Sequence, residues 1–380
     1  MKITILSHNL SSNAAMRAHR LAQMASRFSE VTLLGPVERR GLWEALPSEP
    51  WIRTVVERRL PKFAASFLEL VAAADGDVLI AVKPQLASFG VALVAGEQRG
   101  VPVVLDIDDL DVALAPRGEW EANPEMADVS RPASAVYVSL LTRAIGAASA
   151  LTVSSTALQR RFGGTLVPHG SLTELFNPAA VDRGEARGVF GFDGPTVLFP
   201  GTPRPHKGVE TLARAVARIP EARLAVLCRP QDLPEPAWES FPLTRIPMMP
   251  YPMLARLLAA ADVVAIPQSS SEPARYQMPM KVYDAMAMGR PIVATSVSDL
   301  PIVLEGCGRL VPPEDVQALT TAISELLANP EQASALGQRA RARALQSYAT
   351  DRVAETLHEV VAGLTAPQTR DRGERRELSS

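Results

Sequence analysis

Short apolar runs alternate with amphipathic stretches along the first half of the chain. Runs of four or five residues rich in Val, Ile and Leu are typical of parallel strands that are buried on both faces. The pattern predicts strands at Ile3–Leu6, Val31–Leu34, Val78–Val82, Val101–Leu105 and Leu151–Val153. A helix is predicted between the first two strands, where apolar residues recur at helical spacing at Leu21, Met24, Ala25 and Phe28. Strands separated by helices indicate a mostly parallel sheet.

The same pattern starts again after a polar, glycine-containing stretch at residues 182–194. Further strands are predicted at Thr196–Phe199, Arg223–Leu227, Asp262–Ile266 and Pro291–Thr295. Helices are predicted over residues 209–219 and 316–327. We therefore predict an α/β protein of two facing Rossmann-like domains. The predicted parts are residues 1–183, residues 184–348, a C-terminal helix at 349–365 that packs back toward the first domain, and a disordered tail at 366–380.

Two such domains leave a cleft at the carboxyl ends of their strands, which is where ligands bind in this architecture. Candidate chemistry is therefore expected in the loops that follow Leu6, Leu105, Phe199, Ile266 and Thr295.

Composition narrows the classes of function. The chain has 380 residues, 47% of them hydrophobic, and a formal net charge of −2, which does not favour a nucleic-acid-binding surface. Cys228 and Cys307 are far apart and form no metal-binding or disulfide pattern. The first apolar run is too short for a signal peptide, and no apolar run has the length of a membrane helix. We expect a cytoplasmic protein; peripheral contact with the inner face of a membrane stays open, and nothing indicates the oligomeric state.

A loop rich in glycine, proline and basic residues follows the strand that ends at Phe199. It contains Gly201, Thr202, Arg204 and Lys207, and a helix begins directly after it. The first N–H groups of a helix carry partial positive charge, Arg is a bidentate donor and Lys is a mobile point charge. Together these features predict a diphosphate site; the alternative is a surface loop with solvated basic residues.

A second stretch, residues 269–295, combines a polar loop, a short helix and a turn into a strand. Its candidate donor-binding residues are Ser269, Glu272, Tyr276, Met280, Lys281 and Asp284. Lys281 and Asp284 lie three residues apart, on one helical face. A carboxylate at the mouth of a Rossmann-like sheet can accept both ribose hydroxyls; the alternative is an ordinary surface ion pair.

These two stretches, in this order, resemble the C-terminal half of glycosyltransferase family 4 (glycosyl transferases group 1), whose members are retaining enzymes with the GT-B fold. Lys207-Gly208 matches the family's phosphate loop, and Asp284-Ala-Met-Ala-Met-Gly-Arg-Pro-Ile-Val-Ala-Thr295 matches a later motif. Residues 167–178 are similar to the passage between the family's domains. The resemblance covers essentially the whole chain and is most specific over residues 196–312.

The resemblance implies a nucleoside-diphosphate sugar as donor and a glycan, lipid-linked or small-molecule hydroxyl as acceptor. Arg204 and Lys207 would hold the diphosphate and neutralise it as the sugar leaves, and Asp284 would bind the ribose. No metal and no cofactor is implied, and no nucleic-acid partner is expected.

The chain departs from the family in several places. Tyr276 stands where the family has a Glu that contacts the donor sugar, so whether Glu272 or Tyr276 takes that role stays open. The first loop lacks the family's glycines, and its Asn13 and Arg17 are expected at the acceptor side of the cleft, with Asn13 as a helix N-cap.

Four acidic residues, Asp106, Asp108, Asp109 and Asp111, follow the strand predicted to end at Leu105. Asp108 and Asp109 occupy the positions of a His-Asp pair in the family. Mutual repulsion predicts that at least one of the four has a raised pKa. Asp108 and Asp109 are candidate catalytic groups and Asp106 a candidate cleft residue, either as proton acceptors or as ligands of sugar hydroxyls; the alternative is capping of a helix N-terminus.

Two histidines near these motifs are not assigned a catalytic role. His169, in the linker, is expected to be structural, and His206 is either a phosphate contact or a solvated loop residue.

Two rival functions stay open at this point. A nucleotide-sugar epimerase shares the double-Rossmann architecture. The missing His and Glu also fit a degenerate, non-catalytic GT-B subunit.

Overall fold

The computed structural model describes residues 1–110, 128–233 and 237–366. Asp111 and the predicted tail from residue 367 onward lie outside the described residues.

The first sheet has seven parallel strands in the order β3-β2-β1-β4-β5-β6-β7. The strands are β1 Lys2–Leu6, β2 Glu30–Val37, β3 Ile52–Val56, β4 Val78–Val82, β5 Val103–Ile107, β6 Ala150–Val153 and β7 Thr165–Leu166. The helices described around this sheet are α1 Ala15–Ala25, α2 Phe63–Ala73, α3 Val91–Arg99, α4 Ala135–Arg143 and α5 Thr156–Phe162. This strand order, which reverses direction beside β1, is that of a doubly wound Rossmann-like sheet.

The second sheet has six parallel strands in the order β10-β9-β8-β11-β12-β13. The strands are β8 Thr196–Phe199, β9 Arg223–Leu227, β10 Leu243–Ile246, β11 Val263–Ile266, β12 Ile292–Thr295 and β13 Arg309–Val311. The helices are α6 Arg183–Phe190, α7 Val209–Val216, α8 Tyr251–Ala260, α9 Glu272–Tyr276, α10 Met280–Ala287, α11 Leu300–Val303, α12 Val316–Ala328, α13 Pro330–Arg343 and α14 Thr350–Thr365. Both sheets confirm the predicted fold class.

One strand differs from its prediction in a way that matters for the site. The predicted strand 101–105 begins and ends two residues later, as β5. Asp106 is therefore part of a buried strand and not of the loop after it.

The two sheets are joined by packed side chains. One hydrophobic cluster includes Leu21 and Met24 of α1, Phe176 of the linker, and Tyr251 and Leu254 of α8.

The last helix returns to the first sheet. Arg27 Nε, after α1, lies 2.8 Å from Asp351 Oδ1 of α14, and the rings of Phe28 and His358 have centroids 4.6 Å apart. None of the helices in the described part of the chain is both long and apolar enough to cross a bilayer.

Candidate active site

Direct contacts show that loops at the carboxyl ends of the two sheets face each other. Gln277, between α9 and α10, donates a hydrogen bond from Nε2 to Asp109 Oδ1 at 2.5 Å. Ser155 Oγ, at the end of β6, donates to the backbone oxygen of Tyr276 at 2.9 Å. The cleft predicted between the sheets is therefore narrow in this structure, and residues of both domains meet in it.

The loop between β8 and α7 has the predicted compact form. Residues Pro205–Lys207 make a 3-10 turn, and Gly208 follows with φ of +66°. A Cβ on Gly208 would lie only 1.8 Å from the backbone oxygen of Pro267, so glycine is required there both for its conformation and for space. The turn thereby holds the start of α7 against the end of β11.

Three cationic side chains converge at this loop. Arg204 is exposed, and Lys207 Nζ lies 3.5 Å from Gln268 Oε1. Lys281, on α10, extends toward Gly201, and its Nζ lies 5.2 Å from the centre of the Phe199 ring. Among the described residues, none of the three cations has a carboxylate within salt-bridge distance.

The environment of the two lysines disfavours their charged forms. Burial first, and then the neighbouring charge of Lys207, lowers the pKa of Lys281 to about 7. Burial also lowers the pKa of Lys207 to about 8, with Arg204 adding to the effect and Asp109 opposing it. Such a cluster is short of negative charge, and a bound polyanion would supply it.

Asp284 does not take the position predicted for a ribose ligand. Its carboxylate is 1% exposed and accepts hydrogen bonds from Arg20 Nη2 at 3.1 Å, Ser171 Oγ at 3.0 Å and Tyr251 Oη at 2.7 Å. Burial raises its pKa, and the charge of Arg20 acts against that rise. Asp284 also makes no ion pair with Lys281, because the two side chains of α10 point to different neighbours.

Arg17 and Asp106 form an ion pair with each other and do not line the cleft, where they were predicted to lie. Arg17 Nε and Nη2 donate to the two Asp106 carboxylate oxygens at 2.8 and 2.7 Å, and both side chains are at most 1% exposed. Arg17 also donates to the backbone oxygens of Val167 and Pro168 in the linker. The pair therefore ties α1 and β5 to the linker.

Two further expectations in this region have different outcomes. Asn13 is exposed and is not the N-cap of α1, which begins after Ala14 without a side-chain cap. His169 is structural as expected: it is buried, its Nε2 lies 2.9 Å from the backbone oxygen of Met278, and burial lowers its pKa well below the usual value.

A lysine that the sequence analysis missed organises the acidic cluster. Lys83, with φ of +70°, directly follows β4, and its Nζ lies 2.8 Å from Asp109 Oδ2 and 3.4 Å from Asp108 Oδ1. The sequence does contain a signal for it, because Lys83 directly follows the predicted strand Val78–Val82, at the carboxyl end of the sheet where ligands bind.

The pKa values of Asp108 and Asp109 are shifted in opposite directions. Burial raises the pKa of Asp108, and the charges of Asp109 and Asp106 add to that rise against Lys83. Burial would also raise the pKa of Asp109, but Lys83 and a hydrogen bond from Gln277 hold it well below its usual value. The predicted raised pKa is therefore found at Asp108, while Asp109 is an ionised carboxylate.

The remaining candidates for donor binding differ in their exposure and in their contacts. Ser269 Oγ lies 2.8 Å from Ser271 Oγ and donates to the backbone oxygen of His206 at 3.3 Å, which joins this loop to the 200–208 loop. Thr202 and Met280 are partly buried, and Glu272 is exposed at the start of α9.

Tyr276 is directed to the first domain. The centre of the Tyr276 ring lies 5.5 Å from the guanidinium carbon of Arg161. Arg161 Nη1 also donates a hydrogen bond to the Tyr276 hydroxyl at 3.3 Å. This packing does not present Tyr276 as a ligand for a donor sugar.

Comparison with known proteins shows which of them the second half of the chain resembles. A family model described as glycosyl transferases group 1 matches residues 194–329, which include the loop with Lys207 and the helix with Lys281. D-inositol 3-phosphate glycosyltransferase of Mycolicibacterium paratuberculosis is 31% identical over 199 residues, 48% of this chain and 44% of that protein. MMP alpha-(1->4)-mannosyltransferase of Mycolicibacterium hassiacum is 32% identical over 201 residues, 50% of this chain and 46% of that protein. The matched region is thus less than half the length of these curated relatives.

Solved structures share the fold over nearly the whole chain. Sucrose-phosphate synthase from Thermosynechococcus elongatus has a TM-score of 0.70 at 22% identity, with 96% of this chain and 99% of that chain covered. Anabaena HepE, in a complex with UDP and glucose, has a TM-score of 0.71 at 18% identity, with 96% and 100% covered. Residues 194–329 are therefore similar to the glycosyl transferases group 1 family, and the two sheets together have the GT-B fold.

Proposed function

We propose that the protein is a glycosyltransferase that moves a sugar from a nucleoside-diphosphate sugar to an acceptor hydroxyl. The observation that carries this proposal is the cluster of Arg204, Lys207 and Lys281 beside the start of α7, which has no carboxylate partner among the described residues. The second domain would hold the donor, and the first domain would form the acceptor side.

The proposed chemistry is stabilisation of a leaving group. The bond from the sugar's anomeric carbon to the diphosphate oxygen breaks, and the electron pair stays on the diphosphate. The acceptor oxygen forms the new bond to that carbon, and its proton passes to the released diphosphate. Cations already fixed beside that oxygen stabilise its developing charge, and they do so more strongly in a site that excludes water. The bound diphosphate would in turn raise the pKa values of Lys207 and Lys281 toward their ordinary range.

The names of similar proteins support the class of reaction. Two curated relatives are a glycosyltransferase and a mannosyltransferase, and one structural neighbour was solved with UDP and glucose. The family model described as glycosyl transferases group 1 matches residues 194–329, which contain the cationic loop.

Replacement of Lys207 by Ala tests the proposal. We expect transfer to fall at least about tenfold, as the loss of one charge-assisted contact in the transition state implies. Lys62→Ala is the matched control, because Lys62 is exposed at the start of α2 and is remote from the loop in sequence and contacts. Equal transfer by Lys207→Ala and Lys62→Ala would contradict the role given to the loop.

Donor and acceptor controls distinguish the rival functions. Incubation with the nucleotide sugar alone would convert the sugar if the protein were an epimerase, and would leave it unchanged if the protein is a transferase. Nucleotide binding without transfer to any glycan, lipid-linked or small-molecule acceptor would favour a non-catalytic subunit.

Retention of anomeric configuration and independence of metal are parts of the same proposal. Proton NMR of the product gives its anomeric configuration, and inversion would contradict the first part. The second part predicts undiminished transfer after treatment with EDTA, because the side-chain cations are proposed to neutralise the diphosphate.

A further inference from the structure

The two domains touch near both edges of their sheets. In the first sheet β2 and β6 each lie one strand in from an edge, and β9 and β12 occupy the corresponding places in the second sheet. The loop after β2 meets the loop after β9 through Glu44 and Arg229. The first turn of α5, after β6, meets the loop after β12 through Thr156 and Asp299. The two contacts therefore lie on opposite sides of the cleft.

The contact beside β6 and β12 is buried and is made by several hydrogen bonds. Asp299 is 7% exposed, and its carboxylate accepts from the backbone nitrogen of Thr156 at 2.7 Å and from Thr156 Oγ1 at 2.6 Å. The partial positive charge of a helix N-terminus favours a carboxylate in this position. Ser155, the N-cap of α5, and Arg161 both donate to Tyr276. One helix and its cap thus hold this side of the second domain.

The chain also crosses between the domains on this side. The linker follows β7, the edge strand next to β6. Ser171 N donates to the backbone oxygen of Tyr348 at 2.7 Å, and Thr350 N donates to that of Ser171 at 2.9 Å, so the linker is bonded to the segment by which the chain returns. Ser171 Oγ also donates to Asp284, the partner of Arg20. The buried pair of Arg20 and Asp284 therefore lies beside the crossing.

The contact beside β2 and β9 is of a different kind. Glu44 Oε1 accepts from Arg229 Nε at 3.3 Å and from Arg229 Nη2 at 2.9 Å, and the two side chains are 49% and 36% exposed. Such a solvated ion pair is weak. Each loop is held by its own domain, because Trp43 N donates to the backbone oxygen of Leu10 and Arg229 N donates to Asp232 Oδ2, both at 2.8 Å. The ion pair can therefore break without disturbing either loop.

A nucleotide sugar has to pass between the domains to reach the proposed diphosphate loop. Gln277 Nε2 and Asp109 Oδ1 are 2.5 Å apart across the cleft, so the domains have to part before a ligand of that size enters. The side with the exposed ion pair resists this motion less than the side with the buried hydrogen bonds and the chain crossings.

We infer that the cleft opens at the side of β2 and β9, where the ion pair of Glu44 and Arg229 is a clasp that controls how readily the domains part. The contact of Thr156 with Asp299 stays bonded and is the pivot of the motion. The inference rests on the proposed function for the identity of the ligand, because a nucleotide enters and leaves only after the clasp breaks. The clasp itself joins the domains whether or not a nucleotide is bound.

Charge reversal tests the clasp without altering the diphosphate loop. Glu44→Arg and Arg229→Glu each bring like charges together, and the double variant restores opposite charges. Glu325→Arg is the matched control, because Glu325 pairs with Arg309 at 3.7 Å within the second domain, with 53% and 40% of these side chains exposed. Stopped-flow fluorescence of the full chain would give the association and dissociation rates of UDP and GDP. Small-angle X-ray scattering would give the radius of gyration of the free protein.

We expect each single reversal to raise both rates about three- to tenfold, because repulsion replaces attraction at the contact that has to break. The radius of gyration should rise in the same two variants. The double variant should return to within about twofold of the wild-type rates, and the control should change neither quantity. In Glu44→Arg, the amide of Thr156 should keep its protection from hydrogen exchange, because its bond to Asp299 is on the pivot side.

The outcomes separate this inference from the proposed function. Single variants that match the control, or a double variant that exchanges nucleotide as fast as the singles, would overturn the clasp. Loss of protection at Thr156 in Glu44→Arg would overturn the pivot. A protein that binds neither nucleotide, but whose radius of gyration follows the charge pattern, would overturn the proposed function and leave the clasp standing. A protein that shows neither response would overturn both.

Discussion

The amine of Lys281 occupies the space that a side chain on Gly201 would fill. Lys281 Nζ lies 1.4 Å from the position of an ideal Cβ on Gly201, although the two residues are on different elements and 80 positions apart. Gly201 therefore serves here to admit a cation to the end of β8, next to Lys207.

Substitution of Gly201 by Ala should displace that cation. The added Cβ would meet only the end of the flexible Lys281 side chain, so we expect the free energy of unfolding to fall by less than about 1 kcal/mol. The affinity for a nucleoside diphosphate should fall roughly tenfold, because the Lys281 amine is moved away from the loop. Titration with UDP and GDP measures the affinity. Gly146→Ala is the control, since nothing lies within 4 Å of its Cβ position.

A double-mutant cycle makes this prediction sharper. If Gly201→Ala acts only by moving Lys281, then Gly201→Ala and Lys281→Ala together should cost no more affinity than either alone. Additive losses would show that Gly201 has another role in binding.

Gly208 should be sensitive for a different reason, which is its backbone. With φ of +66° and a Cβ position 1.8 Å from the Pro267 oxygen, Gly208→Ala should reduce the free energy of unfolding by about 2–4 kcal/mol. Gly191 has the same φ of +66° with nothing within 4 Å, so Gly191→Ala should cost only about 1 kcal/mol. Urea denaturation compares the two variants, and equal losses would contradict the steric argument.

The sequence predicts the central strands of both sheets because they are buried on both faces and are continuously apolar. The strands it misses, β3, β7, β10 and β13, are the edge strands. In β3 only Val55 is buried, and Arg53 and Thr54 are exposed, so the strand lacks the apolar run by which the others are recognised. Edge strands are therefore the part of this fold that hydrophobic pattern alone does not predict.

The candidate site shows a similar division. The loop with Arg204 and Lys207 is local in sequence, and glycine, proline and charge predict its form. The partners of Arg17 and Asp284 are not local: Asp106 is 89 positions from Arg17, and Arg20 is 264 positions from Asp284. Sequence spacing suggests ligands for these side chains, but tertiary packing instead pairs them within the protein.

The buried pair of Arg17 and Asp106 should contribute strongly to stability. Asp106→Asn leaves the guanidinium buried without a counter-charge, for which we expect a loss of about 3–5 kcal/mol in the free energy of unfolding. The exposed pair of Arg352 and Glu355 is the control, and Glu355→Gln should cost less than about 1 kcal/mol. Chemical denaturation measures both, and a loss below about 1 kcal/mol for Asp106→Asn would contradict the importance of the pair.

The lowered pKa values of the cationic cluster predict that nucleotide binding takes up protons. Near pH 8 the amine of Lys281, with a pKa of about 7, is mostly neutral in the free protein, and that of Lys207, with a pKa of about 8, is about half charged. A bound diphosphate favours the charged forms of both amines. The affinity for UDP or GDP should therefore fall as the pH rises from about 7 to 9. For each proton that binding takes up, the affinity should fall by up to about tenfold per pH unit. Calorimetry in buffers of different ionisation enthalpy measures the uptake, which should decrease in Lys281→Met.

The stability of the free protein should change with pH in the opposite direction. In the unfolded chain Lys281 keeps its ordinary pKa near 10.5, so above about pH 7 the unfolded state binds more protons than the folded state. Stability from this residue therefore rises with pH over that range, and the difference in free energy of unfolding between wild type and Lys281→Met should shift in favour of the wild type between about pH 7 and pH 9. Affinity that falls while this difference rises would identify the same lysine in both measurements, because a surface lysine such as Lys62 would alter neither. A difference that does not vary with pH would show that Lys281 is not held in a desolvated, electropositive position.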